Sequence, residues 1–217
     1  METKPRKTPK QTGFLEKLER LLKNSKSKYK IGELLDYFGK DSIVVFLFLV
    51  TFITSIPLPP WGGGFETLPG GIVSFFLAIQ GLLGMKTVYM PNTVKEMEID
   101  IKFVQESKYV DKTFDLIDKY IEPLRNQYVF NIATEKLMYL LIIPNAILMM
   151  LPIIFTNGPP SQCITLMAIT WLLFDGLLFT IFLGASAFVI IAYIFLFFWF
   201  AKFLYSTRRT WSFGLWK

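Results

Sequence analysis

The 217-residue chain contains no histidine and a single cysteine, Cys163. The first absence removes a histidine-assisted nucleophile, a histidine general base and the usual zinc sites. The second excludes an internal disulfide. Charge is also scarce: Asp, Glu, Lys and Arg make up 18% of the residues, against about a quarter in a soluble domain. Residues 42–65, 67–85, 137–174 and 176–201 contain none at all. A carboxylate mechanism stays open in principle, but most acids lie in the polar segments. The expectation is therefore a protein that is not an enzyme and carries no metal or cofactor. A removable signal peptide is not expected either, because the first forty residues are basic and polar with no short apolar region behind them.

What is abundant is apolar. Hydrophobic residues make up 53% of the chain and aromatic residues 17%, with 22 Phe. Uncharged apolar runs of this length mark membrane segments rather than core helices. The fold expected is an all-α integral membrane protein. Its net charge of +6 comes mainly from residues 1–40, where eleven Lys or Arg face five acids. A polybasic segment ahead of a membrane span points to anionic lipid on the cytoplasmic side, in preference to nucleic acid. The bilayer is thus the expected partner, with a second copy of the chain as a further candidate.

Five regions follow along the chain. Residues 1–12 have the composition of a disordered basic tail. Residues 13–91 form a first unit, opening on "GFLEKLERLLK", where Phe14, Leu18, Leu21 and Leu22 share one helical face suited to the bilayer surface. Residues 92–136 turn polar, with eight basic and nine acidic residues between Lys86 and Lys136. Here Val110, Phe114, Ile117, Ile121 and Leu124 predict an amphipathic helix ending near Pro123. Residues 137–205 form a second unit, with Pro144 expected to kink its first arm. Its last apolar run, Leu177 to Ala201, is long enough to span with tilt. Residues 206–217 are the tail, and Trp199, Trp211 and Trp216 with Lys202, Arg208 and Arg209 suit the interface.

Each unit is interrupted. "SIPLPPWGGGFETLPGG" (55–71) holds four prolines and five glycines between two apolar runs. The arm Ile43–Ile56 offers about 21 Å of helix against a hydrocarbon core of about 30 Å. The structural breaks are Pro57, Pro59, Pro60 and Pro69 in the first unit and Pro152, Pro159 and Pro160 in the second. Two short arms around such a break predict a re-entrant hairpin, with a thin full crossing as the alternative. "LPGGIVSFFLAIQGLLG" aligns with "GPPSQCITLMAITWLLF" at an offset of ninety, pairing Ala78 with Ala168 and Leu82-Leu83 with Leu172-Leu173. This is a weak internal repeat. Paired broken segments point to a transporter-like site between the two hairpins; in its inverted form, the tips would open to opposite faces. Anchoring hairpins without a site remain the other reading.

These same residues resemble the ExoD family of bacterial membrane proteins, named for exopolysaccharide synthesis, from about Ile31 to Leu196. "IGELLDYFGKDSIVVFLFLVTFITSIPLPP" is similar to its first block. Gln80 takes the place of the glutamine in its Ala-x-Gln pattern, and Tyr89–Pro91 stand where the family often has Trp-Leu-Pro. Arg125 in "IEPLRNQ" resembles an Arg of its Arg-Pro-Arg-like stretch. "LPIIFTNGPPSQCITLMAITWLLFDG" resembles its block closing on Asp-Gly. Among the departures, Thr67-Leu68-Pro69 replaces Gly-Leu-Pro and Phe174-Asp175-Gly176 replaces Arg-Asp-Gly. The resemblance implies a link to exopolysaccharide production or export in the inner membrane, and no particular reaction.

The candidate substrate-binding residues are Gln80, Asn157, Thr170, Asp175, Glu66 and Arg125. Asp175 is the only Asp, Glu, Lys or Arg between Lys136 and Lys202, and such a group is paired, interfacial or functional. An Asp-Gly turn capping the last helix is the plainer reading, and a loop tip is the counterpart for Glu66. Gln80, Asn157 and Thr170 are expected to knit the hairpins together through inter-helix hydrogen bonds. Arg125 would bind a lipid phosphate or cap a surface helix. Two functions lead: a small transporter or lipid-handling protein with a site between the hairpins, and a non-catalytic accessory of a polysaccharide complex. The positive-inside rule puts the N-terminus and the central polar region in the cytoplasm.

Overall fold

The computed structural model describes residues 14, 16–18, 20–21, 24, 26–55, 67–100, 102, 119–122, 125–151 and 158–214. Its main elements are α1 (Ile31–Phe38), α2 (Ser42–Ser55), α3 (Thr67–Leu82), α4 (Ile132–Met150), α5 (Gly158–Leu172) and α6 (Gly176–Gly214). Among the described residues, three stretches are long and apolar enough to cross a membrane: Ile31–Ser55, Ile132–Met150 and Gly176–Thr207. The all-helical membrane architecture is therefore present. One small addition was not legible in the sequence. β1 (Lys28–Lys30) pairs antiparallel with β2 (Glu98–Asp100), Lys28 opposite Asp100 and Lys30 opposite Glu98. Lys30 Nζ reaches Glu96 at 2.5 Å, and that hydrogen bond holds the ammonium above its usual range.

Helices α2, α5, α4 and α3 close into a ring in that order, each packed on its two neighbours. Their neighbours run antiparallel, and close contacts fix the sense. Ser55 Oγ, at the end of α2, lies 3.3 Å from Ser161 Oγ and 3.0 Å from Thr165 Oγ1, near the start of α5. Gly71, near the start of α3, faces Ala146, Met149 and Met150 near the end of α4, whereas Gly81 faces the Tyr139 ring. The arm ends that flank the two breaks therefore lie at one end of the bundle. An inverted arrangement, with tips at opposite faces, is excluded by these contacts.

Local sequence explains the helix ends. Pro69, Pro159 and Pro160 lie in the first turns of α3 and α5, where no N–H is needed and the fixed φ suits the helix. They start the return arms rather than sit inside the breaks. Pro57, Pro59, Pro60 and Pro152 lie outside the described residues, as do most of the expected helix around Val110–Leu124 and the tail 1–12. Helix α4 begins at a capping box: Asn131 Oδ1 accepts from Ala133 N and Thr134 N, and Thr134 Oγ1 accepts from Asn131 N. It continues through Pro144, and beside that proline Asn145 Nδ2 donates to Leu141 O at 2.8 Å.

The two return arms end alike. Leu83 N bonds to Ile79 O, Gly84 N to Gly81 O and Met85 N to Gln80 O; ninety residues on, Leu173 N bonds to Ile169 O, Phe174 N to Trp171 O and Asp175 N to Thr170 O. Gly84 and Phe174 both take positive φ, +79° and +57°. Glycine does this freely, whereas a phenylalanine there must be held by its surroundings.

The N-terminal segment departs from its expected role. Phe14, Leu18 and Leu21 are helical and buried, with the Phe14 ring against Phe38 and Phe48. Its apolar face is covered by the protein's own base, so those side chains are not offered to the bilayer. The opposite holds for α6. Its first turns pack on α5 and α4, yet from residue 187 to 207 no side chain is buried. Phe188, Ile194, Phe195, Phe198, Trp199 and Phe203 are all exposed. An apolar surface on every side of a helix is one made for lipid.

Candidate functional site

The residues around Asp175 form a polar site at the base of the bundle. Asp175 is fully buried. Its Oδ2 accepts from Arg125 Nη2 at 2.8 Å and from Glu122 N at 2.9 Å; its Oδ1 accepts from Arg125 Nε at 3.1 Å and from Leu178 N at 3.1 Å. Four donors match the roughly four acceptor positions of a carboxylate, and the two-pronged guanidinium contact is the strong geometry for such a pair. The Leu178 bond makes Asp175 the cap of α6, as the Asp-Gly turn predicts.

The surrounding chain is built to present that carboxylate. Gly176 N donates to Arg125 O at 2.7 Å, and a Cβ on Gly176 would lie 2.2 Å from Asn126 O. Only glycine allows so close an approach. Asn126 turns the connector through a left-handed conformation, φ +55°, which asparagine tolerates better than most residues. Phe130, Trp171, Phe174 and Phe179 form an aromatic cluster beside this turn, with ring centroids 5.1–5.7 Å apart. The full burial of Asp175 strengthens the ion pair and raises the cost of breaking it.

Thus two of the sequence candidates, Asp175 and Arg125, come together. Arg125 grips a carboxylate of its own chain; the expected lipid phosphate has a competitor already in place. The remaining candidates do not join them. Gln80 clamps the segment after the first hairpin, its Oε1 accepting from Tyr89 N at 2.6 Å and its Nε2 donating to Tyr89 O at 3.0 Å. Thr170 Oγ1 donates to Leu166 O and Met167 O of its own helix. Neither bridges the hairpins: one is close enough to a backbone edge to pair with it, the other is closest to its own preceding turn. Asn157 and Glu66 lie outside the described residues.

Other side chains perform the knitting. Thr165 Oγ1 donates to Thr51 Oγ1 at 2.9 Å, and with Ser55 and Ser161 these form a hydroxyl quartet between α2 and α5. On the other side, Asn145 Nδ2 donates to Ser186 Oγ at 2.8 Å, tying α4 to α6. The sequence carried a usable signal in "TFITS" and "SQCIT", where hydroxyls four apart recur in an apolar arm and therefore share a face. Asn145 Oδ1 and Ser74 Oγ are buried without a hydrogen-bond partner among the described residues. The contacts of Gly71 and Gly81 along α4 put the two at a similar depth.

Among the described residues no group of three or more Cys, Asp or Glu could hold a metal ion. The family model described as "Exopolysaccharide synthesis, ExoD" matches residues 14–198. The chain belongs to the ExoD family. Neither the curated proteins nor the solved structures give a match. Membership brings a role in exopolysaccharide synthesis and, with the apolar helices, residence in a membrane. The ExoD match begins at Phe14 and takes in the covered N-terminal segment, the ion-pair knot and the first half of α6.

Proposed function

We propose that this ExoD protein serves exopolysaccharide production as a non-catalytic accessory of the bacterial inner membrane. The observation that carries this reading is the state of Asp175. The lone acid of the second apolar half is engaged by four donors, and it ties the connector to the start of α6. A carboxylate so engaged organises a scaffold. Its partners in this reading are the bilayer, with anionic lipid at the basic N-terminus, and components of the polysaccharide machinery.

The two hairpins are an internal repeat about an axis along the bundle. Supporting this, the first arm of each packs on the return arm of the other, and the two return arms share their terminal hydrogen bonds. The hairpins are also re-entrant. Helices α2, α3 and α5 have 14, 16 and 15 residues, or about 21–24 Å at the usual rise, short of a core of about 30 Å, and α4, with 19 residues, is the longest arm at about 28 Å. Helix α6, with 39 residues, runs on past the tips and is the element that crosses completely.

One observation favours a second reading, a small transporter or lipid-handling protein. The unpartnered oxygens of Asn145 and Ser74 offer acceptors inside the bundle, and buried polar atoms without partners mark places where a polar solute can be held. The experiment is polymer output from a deletion strain complemented with Asp175→Asn, Arg125→Gln or Asn145→Leu. In an accessory, output should follow the amount of folded protein for all three. Output lost in Asn145→Leu at an unchanged protein level and thermal midpoint would overturn the accessory reading and favour transport.

A further inference from the structure

At the base of the bundle the N-terminal segment, the turn before α2 and the end of α5 border a hollow of about 140 Å³. Phe14 and Lys17 line it from the first piece, Phe38 and Asp41 from the second, and Trp171 and Phe174 from the third. Its depth follows from charge. Asp41 is the last charged residue before the charge-free run 42–65, and Phe174 closes the run 137–174 next to Asp175. The hollow therefore stands where the apolar arms meet water, the level of lipid headgroups, at which amphipathic rings collect.

Two opposite charges line the hollow without pairing with each other. Lys17 Nζ donates to Tyr37 O at 3.0 Å and lies 5.6 Å from the centre of the Tyr37 ring, which engages one of the three donors of its ammonium. The Asp41 carboxylate is exposed and, among the described residues, has neither an ion-pair partner nor a hydrogen bond. Neighbouring charges behave differently: Arg20 pairs with Glu16, Lys26 with Glu33, Lys30 with Glu96 and Arg125 with Asp175. An acid and a base left apart on one hollow match a guest that carries both charges itself.

Each feature removes a class of guest. An acyl chain suits the rings but would strip water from Asp41 without replacing it. An anionic headgroup meets a carboxylate that no cation neutralises. A simple cation suits Asp41 and the aromatic rings, but sits beside Lys17 with nothing to offer it. A zwitterion whose ammonium and phosphate are joined by two carbons answers both charges, its ammonium toward Asp41 and the rings, its phosphate toward Lys17. A primary ammonium brings three N–H donors to the carboxylate, and a quaternary one brings none. We propose that this hollow binds a phosphoethanolamine group, presented as the headgroup of a lipid at the base of the bundle.

The site goes beyond the accessory reading and survives its failure, because it rests on its own lining residues and on the membrane level of the base. Native mass spectrometry of the full chain in detergent would compare one-to-one retention of dioleoyl phosphatidylethanolamine, phosphatidylcholine and phosphatidylglycerol. Retention of the first is expected to exceed both others at least about fivefold, and to fall about fivefold or more in Asp41→Asn and in Lys17→Gln. Both side chains are exposed, so the thermal midpoint should stay at the wild-type value. If Asp41 served only the N-terminus of α2, its loss would lower the midpoint and leave the lipid preference as it was, which overturns the proposal. Glycerophosphoethanolamine in excess separates the sources: displacing the lipid, it supports a site for the group in either form; leaving the lipid bound with its preference intact, it supports the lipid form. Equal retention of the three lipids, a preference for phosphatidylcholine or phosphatidylglycerol, or a preference unchanged in either variant also overturns the proposal.

Discussion

Asp175 shows how far one residue can be understood from its neighbours. Its apolar sequence context marks it as unusual, and its pairing with Gly176 marks a turn. The identity of its partner is another matter, because Arg125 lies fifty residues away in a polar connector where nothing in the local pattern selects it. Substituting Asp175→Asn should destabilise the protein by about 2–3 kcal/mol, since hydrogen bonds to a charged group are lost from a closed site. Arg125→Gln should cost at least as much, because it leaves the fully buried Asp175 carboxylate without its cation, whereas Arg125, 28% exposed, can turn to water when Asp175 is lost. A double-mutant cycle read by thermal or denaturant unfolding in detergent should show coupling of about 1–3 kcal/mol. Additive effects would mean that the two groups stabilise the fold separately. Gln80 and Thr170 teach the complementary lesson: an amide or hydroxyl in an apolar helix does need a partner, but the nearest one is often backbone, and side-chain chemistry alone does not reveal which.

At the scale of elements, the arms and breaks were legible because charge-free runs and proline clusters are strong local signals. The ring order of the helices was not, since apolar faces of similar width can pack in several orders. Small residues decide it here. Gly71, Ala78 and Gly81 lie along one face of α3, and the ring of Tyr139 occupies the space a Cβ on Gly81 would need, 2.3 Å from its nearest atom. Gly81→Ala should therefore separate α3 from α4 and cost about 1–3 kcal/mol through overpacking. Gly184→Ala is the matching control. Nothing lies within 4 Å of its added methyl, so that variant should gain about 0.5–1 kcal/mol from helix propensity. Unfolding midpoints of the two proteins, expected to move in opposite directions, check the assignment. The short β pair escaped sequence reading altogether, as three-residue strands rich in Lys and Glu carry no period-two apolar pattern.

For the whole molecule, the decisive fact is that both hairpin tips share one end. On a Cys163→Ser background, single cysteines replacing Gly63 and Gly158 should react with a membrane-impermeant thiol reagent from the same side, or both be shielded together. Reaction from opposite sides would contradict the contacts of Ser55 with Ser161 and Thr165. The membrane class and the base-to-tip polarity followed from where charges are missing. The covered N-terminal helix did not, because an amphipathic face looks the same whether lipid or protein lies against it.

The antiparallel pairing of residues 28–30 with 98–100 also sets an order of events. Chains emerge from the N-terminus, so this clasp can shut around the first hairpin before any residue of the second has been made. For that interval α2 has no α5 beside it. Its hydroxyls are provided for: Thr51 Oγ1 donates to Leu47 O and Ser55 Oγ to Thr51 O, each at 2.6 Å. The first hairpin can thus wait in the membrane with the hydroxyls of Thr51 and Ser55 satisfied by its own backbone, and exchange lipid for α5 when its twin arrives.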